Sequence, residues 1–309
     1  MVITKCQQIT AYFAGKNNKA MFQHRLVRDL AWVIASPPLI SGNYNDTHWW
    51  QHKDCLEEYR SLLPHLKALD KDPTPLIKHL TSLKSQRLGL RFEALVAYWL
   101  AHSPNFNLLA HSIQLIDKGH TYGELDFIIE DKHRSTIIHL EVAVKFYLGS
   151  PPCNNPYRWF GTNIQDQLGK KTDYLKTVQT QLTDRFPQLT QQTGFNIEEK
   201  QCLLKGRLFY PRNLQTPPVG INSNHLRGSW TQSEHWQDTQ HSLYPLDKKM
   251  WLAELTHHDI EAHKKLHHFE NLETARCYAI LEKNSEGQYH EVHRTFYLPE
   301  GFSFPEAPN

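Results

Sequence analysis

The sequence contains the runs GELDFIIE at residues 123–130 and TIIHLEVAVKF at residues 136–146, separated by DKHRS at residues 131–135. Side chains alternate across a β-strand, so each run carries a continuous apolar face with polar side chains opposite it. The apolar faces consist of Leu125, Phe127 and Ile129 in the first run, and of Ile138, Leu140, Val142, Val144 and Phe146 in the second. The polar turn between the runs predicts an antiparallel hairpin.

The register of this hairpin follows from the requirement that both apolar faces meet one core. A loop at residues 132–135 then places Asp131 opposite Thr136 and Asp126 opposite Glu141. Directly opposite side chains have Cβ atoms about 5 Å apart, and two like charges at that distance are destabilising. A cation between the two carboxylates would remove the repulsion. The alternative is an ordinary polar sheet face, but the run around Glu141 is too apolar for an exposed strand and indicates a central one.

The polar face of the second run also carries Lys145. Carboxylate oxygens are the ligands that Mg²⁺ prefers, and a neighbouring ammonium can position or activate water. Asp126, Glu141 and Lys145 therefore have the chemistry that a magnesium-dependent phosphodiesterase needs.

The element order resembles that of the PD-(D/E)XK nuclease superfamily, with Glu93 on a helix, Asp126 on a strand, and Glu141 and Lys145 on the next strand, followed by a helix. More narrowly, the chain resembles, over residues 86–212, a bacterial family of unknown function that is grouped with this superfamily. The resemblance implies a restriction-endonuclease-like fold, Mg²⁺ or Mn²⁺ as cofactor, and hydrolysis of DNA or RNA. It also implies that the three acids bind the metal and that the lysine is catalytic.

The lysine departs from the pattern of that superfamily. The usual position, two residues after the second acid, holds Ala143, and Lys145 lies two residues further on. Four strand residues span about 13 Å, against about 6.6 Å for two. Lys145 could lean back over Ala143, a bulge could shorten the gap, or the role could have moved to Lys170 or Lys171. A further alternative is a site that binds without cutting.

Glu93 interrupts the apolar face of a helix predicted over residues 86–101. A carboxylate on such a face costs several kcal/mol unless it is paired. One reading pairs Glu93 with Arg87 or Arg91, or places it at the edge of the apolar stripe. The other, which the resemblance favours, turns it towards the two acids of the hairpin.

A second predicted helix follows the hairpin, with Asn163 as its N-cap and Asp166 in its first turn. The cations Arg158, Lys170 and Lys171 lie on this helix or just before it. They predict a cradle for the phosphates of a nucleic acid. The alternative is a capped surface helix with solvated lysines.

The overall composition limits which classes of protein this chain can belong to. The 309 residues are 39% hydrophobic and 11% aromatic, which is ample for a core, and the net charge of +2 gives no global basic field. Nucleic-acid binding must therefore come from a local patch. Five scattered cysteines without CxxC spacing argue against structural zinc or a disulfide framework. With no apolar run long enough for a signal or a membrane span, we expect a cytoplasmic protein that does not enter membranes.

The chain divides by pattern into three consecutive regions: an N-terminal helical region at residues 1–72, a nuclease-like α/β core at 73–212, and a C-terminal extension at 213–309. The extension carries a hairpin predicted at residues 276–298 and a His-rich segment in which His263 and His267 are spaced for metal capture on a helix. A solvated helix explains those histidines more simply.

These patterns predict an α/β protein with a mixed sheet of four or more strands flanked by helices. The expected function is metal-dependent phosphodiester hydrolysis in DNA or RNA. The alternative is a catalytically degenerate module with the same fold that binds nucleic acid or a protein partner.

Overall fold

A computed structural model describes residues 21–212, 214, 216–232, 242–263 and 273–306. Its helices are α1 (Arg25–Ala35), α2 (His52–Lys71), α3 (Thr74–Thr81), α4 (Leu88–His102), α5 (Leu168–Thr177), α6 (Leu182–Arg185), α7 (Pro187–Gln192) and α8 (His257–His263). Its strands are β1 (Gly42–Tyr44), β2 (Thr47–Trp49), β3 (Phe106–Asp117), β4 (His120–Asp131), β5 (Thr136–Gly149), β6 (Trp159–Gly161), β7 (Glu199–Pro211), β8 (Leu226–Gln232), β9 (Ser242–Pro245), β10 (Arg276–Lys283) and β11 (Tyr289–Leu298). The described residues thus form a mixed α/β fold whose sheet has 11 strands.

The described chain forms two compact units. We call the residues at 30–144 and 170–205 the hairpin unit, and the described residues within 1–29, 145–169 and 206–309 the C-terminal unit. The units are interleaved along the chain, because β5 and β7 each contribute residues to both. The three regions expected from the sequence are consecutive, so this division differs from them.

The hairpin unit contains the predicted strand pair. β3, β4 and β5 are joined in antiparallel order, and β2 pairs in parallel with the first part of β7. The predicted register is confirmed, because Asp131 lies opposite Thr136 and Phe127 opposite Leu140. β5 lies between β4 and β7, as expected for a central strand.

Both faces of the β4–β5 hairpin are buried. Ile128 and His139, on the side predicted to be polar, are as inaccessible as Leu140 on the apolar side. A core of Leu115, Leu125, Ile128 and Leu182 covers this part of the sheet. The reading of an ordinary solvated sheet face is therefore wrong.

Helix α4 carries the third acid into the hairpin unit. Nine of its 15 residues are buried, including Phe92 and the whole run Ala94–Leu100. A helix that is apolar on most of its circumference lies inside a protein, so polar residues on it are held in a largely dry environment.

The C-terminal unit contains the remaining strand pairs. β6 pairs with the end of β5, and β8 pairs in parallel with β7 and with β11. The hairpin predicted at residues 276–298 is confirmed, since β10 and β11 are antiparallel. Leu243, Tyr278 and Tyr297 form a buried cluster in this unit.

Two expectations from the sequence differ from the structure. Asn163 does not begin a helix, as described below, and the region at residues 1–72 that was expected to be helical contains strands β1 and β2. Helix α2 begins at His52, after strand β2, and continues through Pro64 to Lys71. Strand β3 has 12 residues and lies at the edge of the sheet.

Among the described helices, none combines the length and the apolar character that crossing a membrane requires.

Candidate functional site

Three carboxyl groups from three elements of the hairpin unit are linked, because Asp126 lies beside Glu141 and its charge acts on Glu93. Asp126 comes from β4, Glu141 from β5 and Glu93 from α4. Glu141 is 1% exposed, whereas Asp126 and Glu93 are partly buried. We call these three residues the acid cluster.

The acid cluster begins where the backbone ladder of the hairpin stops. Beyond the pair Phe127 and Leu140, side chains replace the regular strand-to-strand bonds. The backbone N–H of Val142 donates to Oδ2 of Asp126 at 2.9 Å, and the N–H of Asp126 donates to Oε1 of Glu141 at 3.4 Å. The two acids therefore lie side by side, in the place that the register predicts.

Burial raises the pKa of both hairpin acids. For Asp126 the largest cause is desolvation, followed by the charge of Glu141. For Glu141 desolvation again comes first, while hydrogen bonds with Asp126 oppose it. Two such carboxyls cannot both ionise cheaply, so the pair holds a proton near neutral pH.

Glu93 completes the cluster from the helix. Burial raises its pKa to about 7, and the charges of Asp126 and Glu124 add to the effect. Lys171 acts in the opposite direction and lowers the pKa of both Glu93 and Glu141. The charges that act on Glu93 thus include that of the hairpin acid Asp126.

His139 belongs to this site although the sequence analysis assigned it no role. It is fully buried, and its Nε2 lies 2.6 Å from Oε1 of Glu141. Burial lowers the pKa of His139 to about 4, so the ring is neutral and Nε2–H donates to the carboxylate. The available signal was its position two residues before Glu141, which places both side chains on one face of β5.

Two buried polar atoms of the site make no hydrogen bond of normal geometry. They are Oε2 of Glu141 and Nδ1 of His139. Among the described residues, no group of three or more His, Cys, Asp or Glu side chains is arranged to hold a metal ion. Asp126 and Glu141 are held by backbone N–H donors of the neighbouring strand.

Lys145 lies in the C-terminal unit and is already paired. Its Nζ is 2.5 Å from Oδ2 of Asp166, and the hydroxyl of Tyr147 donates to the other oxygen of that carboxylate at 3.1 Å. The carbonyl of Lys145 also packs against Gly206.

Asp166 explains why the helix does not begin at Asn163. The chain around Asn163 is a turn, in which Gly161 donates its N–H to the carbonyl of Asp166 at 2.8 Å. Helix α5 begins only at Leu168. The predicted N-cap is therefore wrong. The Asp166 carboxylate accepts hydrogen bonds from Lys145 and Tyr147, whereas in the predicted helix it would have lain in the first turn.

The three cations expected to bind nucleic acid lie in different units. Arg158, in the C-terminal unit, donates to the carbonyl and the hydroxyl of Ser150 at 3.3 and 3.1 Å. Lys170 and Lys171, in the hairpin unit, stand on α5, with Lys170 exposed and Lys171 half-buried. Of these cations, Lys171 is the one whose charge acts on the acid cluster.

The proposed i,i+4 histidine pair is not testable in the structure. His267 lies outside the described residues, and His263 is the last residue of α8.

Comparison with known proteins identifies one relationship. The sequence model of the family called Domain of unknown function (DUF1853) matches residues 28–298. No curated protein and no solved structure matches the chain. The match spans most of the 309 residues, including both hairpin strands and α4, and the chain therefore belongs to the DUF1853 family.

Proposed function

We propose that the chain is a metal-dependent phosphodiester hydrolase, acting on DNA or RNA, with a restriction-endonuclease-like core. The observation that carries this proposal is the acid cluster, in which burial raises the pKa of Asp126, Glu141 and Glu93 together. Carboxyl groups held in this way repel one another when ionised, and a divalent cation is the ligand that relieves such repulsion.

The donors have the oxygen chemistry that Mg²⁺ or Mn²⁺ takes, although the described side chains do not stand in the arrangement of a complete metal site. Hard divalent cations take oxygen ligands, and the cluster offers three carboxyl groups. Oε2 of Glu141 is buried and makes no hydrogen bond of normal geometry, which leaves an acceptor for a cation. His139 is hydrogen-bonded to Oε1, the other oxygen of the Glu141 carboxylate. Hydrogen-bonding partners of this kind orient the side chains that bind a metal ion. Asp126 and Glu141 would hold the ion, with Glu93 beside them.

Binding would change the protonation of the cluster. The proton held by Asp126 and Glu141 must leave before both can act as ligands, so metal affinity should rise with pH. When bound, the ion would supply Lewis-acid polarisation of a phosphodiester. This linkage between proton and metal distinguishes the proposed site from an acidic surface patch.

The side chains of the cluster suit the remaining chemistry. Glu93, with its pKa raised to about 7, is tuned to accept a proton from water near neutral pH. Lys171 acts electrostatically on two of the acids and can stabilise the negative charge that develops on a phosphoryl group. We therefore assign to Lys171 the cationic role that the sequence first suggested for Lys145.

A second candidate function is a binding module without catalysis. Ala143 stands at the usual lysine position, and Lys145 is engaged by Asp166 and Tyr147. If Lys171 does not supply the missing charge, the same fold would bind nucleic acid and leave it intact.

The test is calorimetric titration of the full chain with Mg²⁺ and Mn²⁺, in two buffers whose ionisation enthalpies differ. Cleavage of single- and double-stranded DNA and RNA is assayed in parallel. The variant is Asp126→Asn with Glu141→Gln, which preserves shape and removes both charges. The matched control is Glu130→Gln, a carboxylate on the same strand that accepts from Asn107 at 2.8 Å.

The proposal expects metal binding with proton release, and metal-dependent cleavage, in the wild type and in the control. Both should disappear in the double variant. Metal binding without cleavage supports the binding module. A wild type that binds neither ion at pH 9, which lies above the raised pKa values of all three acids, refutes the metal site.

A further inference from the structure

The surface of α5 combines two lysines with one exposed aromatic ring. Lys170 and Tyr174 lie one helical turn apart and are both exposed, and the Tyr174 side chain is 49% accessible. Residues four apart on a helix share one face. Such a face offers charge for a phosphate and a flat ring for a base.

Lys171 connects this face to the site. Its Nζ lies 5.5 Å from the centroid of the Tyr174 ring, near the outer limit for a cation–π contact. The same ammonium lowers the pKa of Glu93 and Glu141. Lys171 therefore both acts electrostatically on the acid cluster and lies near the Tyr174 ring, which is only partly covered.

We propose that the face formed by Lys170, Lys171 and Tyr174 binds single-stranded nucleic acid, with an unpaired base stacked on Tyr174. Two lysines against the single acid Asp173 give it the positive charge that a phosphate backbone requires. An exposed ring can stack only on a base that is not already stacked within a duplex, which selects single strands. The inference rests on the proposed function, since it names the substrate form taken by the same site.

The experiment is fluorescence anisotropy of labelled single-stranded and duplex oligonucleotides with the full chain in EDTA, which prevents metal-dependent cleavage. The test variant is Tyr174→Ala, and Tyr174→Phe retains the ring. The matched control is Tyr122→Ala, which removes another exposed tyrosine of the hairpin unit, 41% accessible on β4.

We expect Tyr174→Ala to weaken single-strand binding about tenfold, and the other two variants to stay within about twofold of the wild type. The wild type should prefer the single strand. Equal binding of Tyr174→Ala and the wild type, a preference for duplex, or no binding by the wild type would each overturn the inference. If Tyr174→Ala retains both cleavage and unchanged binding, this inference is wrong and the hydrolase proposal is unaffected. If binding depends on Tyr174 but the wild type shows no cleavage, this inference is supported and the hydrolase proposal is contradicted.

Discussion

Nε2 of His139 lies 2.6 Å from Oε1 of Glu141, and both side chains are almost fully excluded from solvent. The contact joins a neutral donor to a carboxyl group in a dry environment. A hydrogen bond in such surroundings is strong, and the loss of one partner leaves the other buried and unsatisfied.

His139→Phe tests this contact. The ring is retained and the donor is lost, so we expect the free energy of unfolding to fall by about 2 kcal/mol. Urea denaturation at pH 7 measures it. The control His111→Phe changes an exposed histidine on β3 and should alter stability by less than about 0.5 kcal/mol. Equal effects of the two changes would mean that the buried hydrogen bond contributes nothing.

Glu93→Gln should change the pH dependence of stability. Burial raises the pKa of Glu93 from 4.5 to about 7, so the folded state binds this proton more tightly than the unfolded state. The resulting stability is fully present below pH 4.5 and is lost as the pH rises to 7. Glu93→Gln has no proton to lose at this position, so its stability does not fall in this way as the pH rises. Allowing for solvent screening of a partly exposed group, it should gain about 1 kcal/mol over the wild type at pH 8. Denaturation curves whose difference stays constant from pH 4 to pH 8 would contradict the assigned burial.

Lys171→Gln should affect both chemistry and protonation. Because this ammonium lowers the pKa of Glu93 and Glu141, its removal should shift the rising limb of the pH–rate profile to higher pH. It should also reduce cleavage about 100-fold through the lost charge stabilisation.

Lys170→Gln is the matched control for that change, since it removes the neighbouring exposed lysine. We expect weaker binding of nucleic acid but a pH–rate profile in the same position.

If Lys145→Gln abolished cleavage while Lys171→Gln did not, the assignment of the cationic role to Lys171 would be wrong.

Gly206→Ala should destabilise the C-terminal unit. Gly206 has φ of +150°, and an added Cβ would lie 1.7 Å from the carbonyl oxygen of Lys145. Backbone has to move, so we expect a loss of about 3 kcal/mol or more. Gly89→Ala is the control, because a Cβ on this exposed residue of α4 meets nothing within 4 Å. That change should stabilise by about 0.5 kcal/mol, and thermal unfolding compares the two.

The sequence predicted the hairpin well because strand periodicity and turn composition are local properties. The alternation from Leu125 to Phe146 defined both strands, and the shared apolar face defined their register. The pattern of α4 likewise indicated that Glu93 stands on a largely buried helix. The same reasoning failed at Asn163, where a favourable capping residue lies in a turn. Asp166 there satisfies Lys145 and Tyr147, which are distant in sequence.

What the sequence by itself determined is the set of carboxyl groups and the register that brings Asp126 beside Glu141. Only the tertiary structure decided how far the pKa of each acid is raised and which lysine acts on the acids. Desolvation by the surrounding core raises the pKa of each acid, and that depends on which side chains cover both faces of the hairpin. Folding likewise engages Lys145 with Asp166 and directs the charge of Lys171 to the acids. Electrostatic interactions act through space. The sequence therefore identifies the candidate charged groups, and the packing of the folded chain determines which of them interact.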